Sequence, residues 1–381
     1  MFIRTCKLLN YKNLSLELGL VKNFNVIVAP NATGKTNFLE AVNYVATGKS
    51  FRGLADELVL PVKGNCQFAS VELTLQEHLD THTDSIPTLV KFVISSTGIK
   101  SLYLNEKKTT AAKINSVFAS LVYAPESMDL VTGGPARRRE FIDMAVARLS
   151  QVGKLALKEY KSVLTRKNVL LKSYNHSASR SDFFRQLEFW NQKLLANAKI
   201  LNQERLELLA ALLPIAESMA SQIFHLDLPK LNFAVNAEVN INQDLQNWSG
   251  KLTQVFQQKL TENSHKEALV GRSLYGPHKD GYEFTLQALN IRDFGSRGQQ
   301  RLCSLILHLS LLKLLEDHKL TQPVLLLDDT LSELDPEHRL KTLTFLQTLT
   351  TGGNAIQMIM TSADKADFAG FSLEFATELK L

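Results

Sequence analysis

Apolar positions change period along the chain, and the changes mark out its elements. FNVIV (Phe24 to Val28) predicts a short buried strand. It runs into KTNFLEAVNYVATG, where Phe38, Ala41, Val42 and Val45 recur at helical spacing and Gly48 fits a helix stop. ASVELTLQE (Ala69 to Glu77) and TLVKFVIS (Thr88 to Ser95) alternate with the period of strands, and GIKSLYLNEKK (Gly98 to Lys108) continues them as a hairpin.

Beyond Pro125 the period lengthens. From Arg137 to about Leu226 the pattern is helical. Leu157, Tyr160, Leu164 and Leu171 line one stripe; Leu187, Trp190, Leu194, Leu201 and Leu208 line a second. SYNHSASRSD (Ser173 to Asp182) reads as the turn between two long helices folded back on each other. Strand and turn signals return after Pro229. A strong helix follows over Gly295 to His318, then two buried strands, PVLLLDD (Pro323 to Asp329) and AIQMIMTS (Ala355 to Ser362). No internal repeat or low-complexity tract interrupts the sequence.

The 381 residues suffice for two to three domains. With 45% apolar and 21% charged residues, the composition is that of a soluble globular protein. A net charge of +5 permits a nucleic-acid partner without requiring one. Cys6, Cys66 and Cys303 form no C-x-x-C pair and cannot complete a disulfide framework, which fits a reducing compartment. The start lacks the apolar core of a signal peptide, and no apolar run approaches about 18 residues. The expectation is a cytoplasmic protein without membrane contact. The histidines show no metal-ligand spacing, so no structural metal is expected.

Chemistry concentrates in APNATGKT (Ala29 to Thr36), set between a predicted strand and helix. A phosphate loop in that setting turns successive backbone N–H groups toward an anion, aided by the positive end of the following helix. In this reading Ala29, Pro30, Asn31, Ala32, Thr33 and Gly34 form the cradle. Lys35 reaches the β- and γ-phosphates and Thr36 supplies a hydroxyl ligand to Mg²⁺. Alanine at position 29, where the common pattern has glycine, matters only if the backbone there needs a positive φ. Position 32 is formally free. The strand VLLLDD offers the complementary acids: Asp328 holds Mg²⁺ through water, and Asp329 orients or deprotonates the attacking water. These motifs stand near opposite ends of the chain, which implies a head split in sequence around an insertion.

Between them, Ser296-Arg297-Gly298-Gln299 spells a capping box opening a helix. The cap accounts for Ser296 and Gln299 by itself, yet a helix N-terminus also receives anions, including a phosphate held on another subunit. Arg137, Arg138 and Arg139 are candidate DNA contacts or a solvated helix face, and Lys154, Lys158, Lys161, Arg166 and Lys167 give the first long helix a basic side. His278 reads as a switch or a packed turn residue, with packing the favoured reading.

Taken in order, these segments resemble the RecF family of bacterial recombination and repair ATPases, which carry an ABC/SMC-type head. The resemblance spans nearly the whole chain. It rests on APNATGKTNFLEAV, GKSFRG (Gly48 to Gly53), PESMDLVTGGPARRREFID (Pro125 to Asp143), YKSVLTRKNVLLK (Tyr160 to Lys172), YGPHKDG (Tyr275 to Gly281), FGSRGQQR (Phe294 to Arg301) and LLLDDTLSELDPEHR (Leu325 to Arg339). It implies an α/β ABC-type ATPase head, a P-loop NTPase split in sequence with an inserted helical second lobe. The boundaries are residues 1–125 for the first half of the head, 126–275 for the helical insertion and 276–381 for the second half.

The resemblance further implies an ATP- and Mg²⁺-dependent homodimer with a weak ATPase. Such a dimer binds single-stranded, gapped or junction DNA and helps RecO and RecR load RecA. Carried onto this chain, Ser296, Gly298 and Gln299 form a signature acting in trans, and Ser332 to Asp335 form a loop crossing the dimer interface. Several positions depart from the family pattern. Ala29 and Ala32 replace glycines, Lys279 replaces arginine, Gly281 replaces aspartate, and Arg297 is unusual within the signature. Thr361 and Ser362 stand where many ABC ATPases place a histidine after the strand. These departures bear on turnover more than on fold. Three readings stay open at this point: a repair ATPase that assembles and releases a dimer, a nucleotide-gated DNA clamp without hydrolysis, and another SMC-like ATPase.

Overall fold

The computed structural model describes residues 1–61, 66–77, 86–224, 234–235, 239–240, 245–286, 289–318, 323–332, 334–350, 356–369, 371 and 376–379. Much of the stretch following Pro229, Ala355 of the last predicted strand, and Glu333 lie outside the described residues.

The chain forms two compact units. One comprises Met1–Met128, Gln222–His225 and Leu315–Leu381; the other comprises Asp129–Ser221 and Leu226–Leu314.

In the first unit a five-stranded, all-parallel sheet runs in the order Ala376–Leu379, Phe24–Val28, Met358–Ser362, Pro323–Asp328, Ala119–Tyr123. The strands Phe24–Val28, Pro323–Asp328 and Met358–Ser362 are almost wholly buried, as parallel strands covered on both faces are. A second, antiparallel sheet of six strands has the order Leu14–Gly19, Phe2–Tyr11, Phe68–Gln76, Thr88–Ser95, Lys100–Leu104, Lys107–Thr109. Its last hairpin turns at Asn105 and Glu106, both at positive φ, the backbone of a tight two-residue turn.

The helix Lys35–Thr47 shares one core with both sheets. The sequence stripe Phe38, Ala41, Val42 and Val45 is only part of its buried surface. Leu39, Tyr44 and Ala46 are buried as well, and so are Glu40 and Asn43, so the helix is buried nearly all round. Gly48 closes it in the left-handed conformation, its N–H donating to the Tyr44 carbonyl.

The second unit is built on the helices Pro135–Leu149, Gln151–Lys172 and Arg180–Phe224, with the turn between the last two where the polar stretch predicts it. Tyr160 and Val163 from one helix meet Leu194, Ala198 and Leu201 from the next, together with Phe256 and Leu260 of the helix Leu245–Glu262. Lys167 does not belong to an exposed basic side. It is fully buried and paired with Glu267 at 2.6 Å, on the same stripe as Tyr160, Val163 and Leu171.

The structure draws the second boundary at Leu314/Leu315, whereas the sequence reading draws it at 275/276. The YGPHKDG segment accounts for the first part of the difference, because it is anchored among the helices. A Cβ on Gly276 would come within 2.7 Å of the Tyr160 hydroxyl and of Phe256, and its φ of +121° also favours glycine. His278 Nδ1 lies 2.7 Å from the Tyr160 hydroxyl, and burial lowers the imidazole pKa to about 4. Arg205 bridges Asp143 and Asp280 at 2.7 and 3.2 Å.

Candidate functional site

The strand Phe24–Val28 and the helix Lys35–Thr47 leave six residues, Ala29 to Gly34, to make the turn. Gly34 is the helix N-cap at φ +115°. That φ favours glycine, and a Cβ would also press on the side-chain ends of Leu14 at 2.7 Å and Asn13 at 3.0 Å. Asn13 Nδ2 donates to the Thr33 carbonyl at 3.1 Å, and Asn37 Nδ2 donates to Asn13 Oδ1 at 2.6 Å. The neighbouring Lys12 pairs with Glu40, a fully buried carboxylate that also accepts from Ser50. The turn around Lys12 and Asn13 therefore braces the loop, a role with no signature in the sequence beyond two polar residues at a strand end.

The two alanines part company. Ala29 has no positive φ, and its N–H donates to the Ser362 carbonyl at 3.3 Å, so a methyl group is tolerated there. Ala32, formally free in the motif, sits at φ +65°. A non-glycine residue in this left-handed region costs about 1–2 kcal/mol. Ala32→Gly is expected to raise unfolding stability by about 1 kcal/mol net of the extra freedom of glycine in the unfolded chain, read as a higher urea midpoint. An unchanged or lower midpoint would contradict the strain assigned to this residue.

Lys35 is buried and folds back over the loop, with Nζ donating to the Ala29 and Pro30 carbonyls at 2.6 and 3.0 Å. Thr36 Oγ1 donates to Asp328 Oδ2 at 2.7 Å, across 292 positions of sequence. The parallel sheet makes this contact by bringing the C-terminal ends of Phe24–Val28, Met358–Ser362 and Pro323–Asp328 to one side. Asp328 is only 4% exposed, and burial raises its carboxyl pKa against the opposing hydrogen bonds from Thr361 and Thr36. A desolvated carboxylate beside a hydroxyl is a hard-oxygen donor set. It fits Mg²⁺, whose charge would offset the cost of burying the anion.

Asp329 follows the strand, at φ +44°. Its N–H donates to Thr361 Oγ1 at 3.2 Å, and its Oδ2 accepts from Ser332 Oγ at 3.0 Å. The sequence reading carries Ser332 and Asp335 as interface residues. In the structure Ser332 is exposed beside Asp329, while Asp335 caps the helix Pro336–Leu349 by accepting from the His338 N–H at 3.0 Å.

In the second unit the capping box is present in full. Gln299 N–H donates to Ser296 Oγ at 3.2 Å, and Ser296 N–H donates to Gln299 Oε1 at 2.8 Å, opening the helix Arg297–Asp317. Ser296 and Arg297 are exposed at that terminus. Gly295 is fixed by close approach, since a Cβ would lie 2.5 Å from the Ile291 carbonyl oxygen.

The three arginines do not share one exposed face. Arg138 faces inward, 5% exposed, and donates to the carbonyls of Leu130, Val131 and Gly133 at 3.4, 3.2 and 2.9 Å, which closes the short helix Asp129–Thr132. Arg139 Nη1 donates to the Asp280 carbonyl at 2.6 Å. Arg137 alone of the three is well exposed, between Asp129 and Glu140.

A P-loop set against an acidic strand end in a parallel sheet, with an antiparallel sheet over the loop helix, defines a nucleotide-binding head of the ABC/SMC class. The sequence model of the RecF/RecN/SMC N-terminal domain matches residues 2–374. The chain belongs to the RecF family. The DNA replication and repair protein RecF of Bacillus cereus is 30% identical over 362 residues, covering 93% of each chain, and that of Bacillus thuringiensis matches to the same extent. Among solved structures, the recombination mediator protein RecF-ATP of the RecFOR pathway superposes with a TM-score of 0.79 at 25% identity, covering 96% of this chain and 93% of that one. An Smc head domain derived from Pyrococcus furiosus shares the fold, with a TM-score of 0.55 at 15% identity over 97% of this chain and 91% of its own.

Proposed function

We propose that this protein is an ATP-dependent DNA-binding protein of recombinational repair and replication restart. The observation that carries the reading is the convergence of Lys35, Thr36 and Asp328 on one end of the parallel sheet. The phosphate loop binds ATP through its backbone N–H groups and Lys35, and Thr36 and Asp328 hold Mg²⁺. When bound, Mg²⁺ neutralises charge on the phosphates. Asp329 orients the attacking water. The head is assembled from two segments of sequence around the helical insertion.

Dimerisation places the Ser296, Gly298 and Gln299 terminus of one protomer on the nucleotide of its partner, with Ser332 and Asp335 in the crossing loop. Gly298 supports this part of the reading. In the first turn of a helix, glycine costs up to about 1 kcal/mol relative to alanine. Yet a Cβ there would meet only Ser296 Oγ, at 3.9 Å, among the described residues. Nothing within the described chain needs the glycine; a closely approaching phosphate from another subunit would.

The partners of the reading are single-stranded, gapped or junction DNA, RecO/RecR-type mediators and a RecA-type recombinase. A slow ATPase cycle drives dimer assembly and release. A second reading, a nucleotide-gated DNA clamp without significant hydrolysis, is favoured by the engagement of Asp329 with Ser332. Binding to a gapped duplex with and without a slowly hydrolysed ATP analogue tests the DNA role. Affinity is expected to rise with the analogue. It is also expected to fall by about 0.9 log units per log unit of salt for each phosphate neutralised. Nucleotide-independent binding with a flat salt dependence would refute it.

A further inference from the structure

We propose that Thr361 is the positioning residue of the acidic pair, fixing Asp328 and Asp329 together through one hydroxyl; this rests on the nucleotide-site reading. Thr361 is 1% exposed at the end of the strand Met358–Ser362, which lies between the phosphate-loop strand and the acidic strand. In the parallel ladder it stands directly opposite Asp328. A hydroxyl has one hydrogen to donate and two lone pairs to accept with. The hydrogen goes to Asp328 Oδ1 at 2.7 Å, and the Leu327 carbonyl, at 3.5 Å, is too distant to compete. A lone pair receives the Asp329 N–H at 3.2 Å.

Each bond has a consequence for the site. A carboxylate turns broadly about its last torsion unless held. With Oδ1 held by Thr361, Asp328 presents Oδ2 to Thr36 at 2.7 Å, and these two side chains would hold Mg²⁺. The second bond satisfies the N–H of a residue held in the left-handed region at φ +44°. That conformation directs the Asp329 carboxylate to Ser332. The same strand end also supplies the Ser362 carbonyl that accepts from Ala29 N–H, so one strand registers both the loop and the acids. The β-branched side chain of threonine keeps the hydroxyl in a narrow range of directions.

A purely structural threonine would affect stability alone. A positioning threonine changes how far Mg²⁺ tightens nucleotide binding. The test is titration of the full chain with a fluorescent, slowly hydrolysed ATP analogue in excess Mg²⁺ and in EDTA, for wild type, Thr361→Val and Thr361→Ser. Thr361→Val keeps the shape and removes the hydroxyl. It is expected to lose about tenfold of the Mg²⁺-dependent gain in affinity, as removal of a hydrogen bond to a charged group does, while its affinity in EDTA stays within about twofold of wild type. Thr361→Ser is expected to restore the gain. If Thr361→Val does not fold, Thr361→Cys, with its weak donor, takes its place and is expected to show the same loss. A full Mg²⁺ gain in the variant without a good donor overturns the proposal. Lys35→Ala in the same titration separates the two levels. If it binds like wild type, the loop is not the site and the positioning role falls with it. If it binds weakly while Thr361→Val matches wild type, the positioning role alone falls.

Discussion

Asp329→Asn leaves ATP bound and stops its turnover. Asparagine is nearly isosteric with aspartate and also accepts the left-handed backbone that Asp329 adopts at φ +44°, so the strand end keeps its shape. Its amide oxygen still accepts from Ser332, which holds Oδ2 at 3.0 Å in the structure. What is lost is the negative charge that, in the proposed function, orients or deprotonates the attacking water. General-base assistance contributes about 10²–10⁴-fold, so turnover is expected to fall by at least about a hundredfold. ATP affinity depends on the loop, Lys35 and Thr36, and should stay near the wild-type value. Aspartate carries its carboxylate on a shorter side chain than the glutamate many ABC ATPases use here, so wild-type turnover is itself expected to be slow. Single-turnover hydrolysis at saturating ATP, beside an equilibrium titration, gives both quantities. A variant that hydrolyses at the wild-type rate would remove Asp329 from the chemistry.

Ser296→Asp is expected to bind ATP as a folded monomer and to fail at dimerisation. The two roles of Ser296 separate at this substitution. Aspartate is as good an N-cap acceptor as serine, and its charge suits a helix N-terminus, so the helix Arg297–Asp317 survives with the Gln299 N–H still satisfied. In the trans reading the same oxygen faces a γ-phosphate on the partner protomer. Like charges brought together at a desolvated interface cost several kcal/mol, on the order of a hundredfold or more in dimer affinity. Sedimentation velocity with a slowly hydrolysed ATP analogue reads the outcome. A variant that dimerises as wild type does would leave Ser296 as a helix cap only.

The elements that carry the chemistry were legible where the signal is local. Strand, loop and helix around Lys35 follow from a short apolar run, a glycine and a helical stripe. The capping box at Ser296 needs only four residues, and both of its hydrogen bonds form. What depends on partner strands was not legible. Thr361 reads as the absence of a histidine until the parallel register sets it opposite Asp328. Asn13 reads as a turn residue until the antiparallel sheet brings it to Thr33 and Gly34. Residue type also does not encode φ. Attention falls on Ala29 because it breaks the motif, yet Ala32 is the residue at +65°.

Two inward-facing cations, by contrast, read as members of basic surface runs, although helical period gives their direction. Arg138 continues the stripe of Phe141, Ile142 and Ala145, and Lys167 lies on that of Tyr160, Val163 and Leu171. A run of basic residues is an attractive surface motif, but position on the helix decides which way each one faces.

Titration of a fluorescent ATP analogue against wild type and Lys35→Ala tests the central claim most directly. Lys35 is the one side chain of the loop with a charge for the phosphates, and its ammonium already lies over the Ala29 and Pro30 carbonyls. Its removal is expected to cost about 1.5–3 kcal/mol, a loss of roughly ten- to hundredfold in affinity. Equal affinity for the two proteins would mean that the loop from Ala29 to Thr36 does not hold the nucleotide.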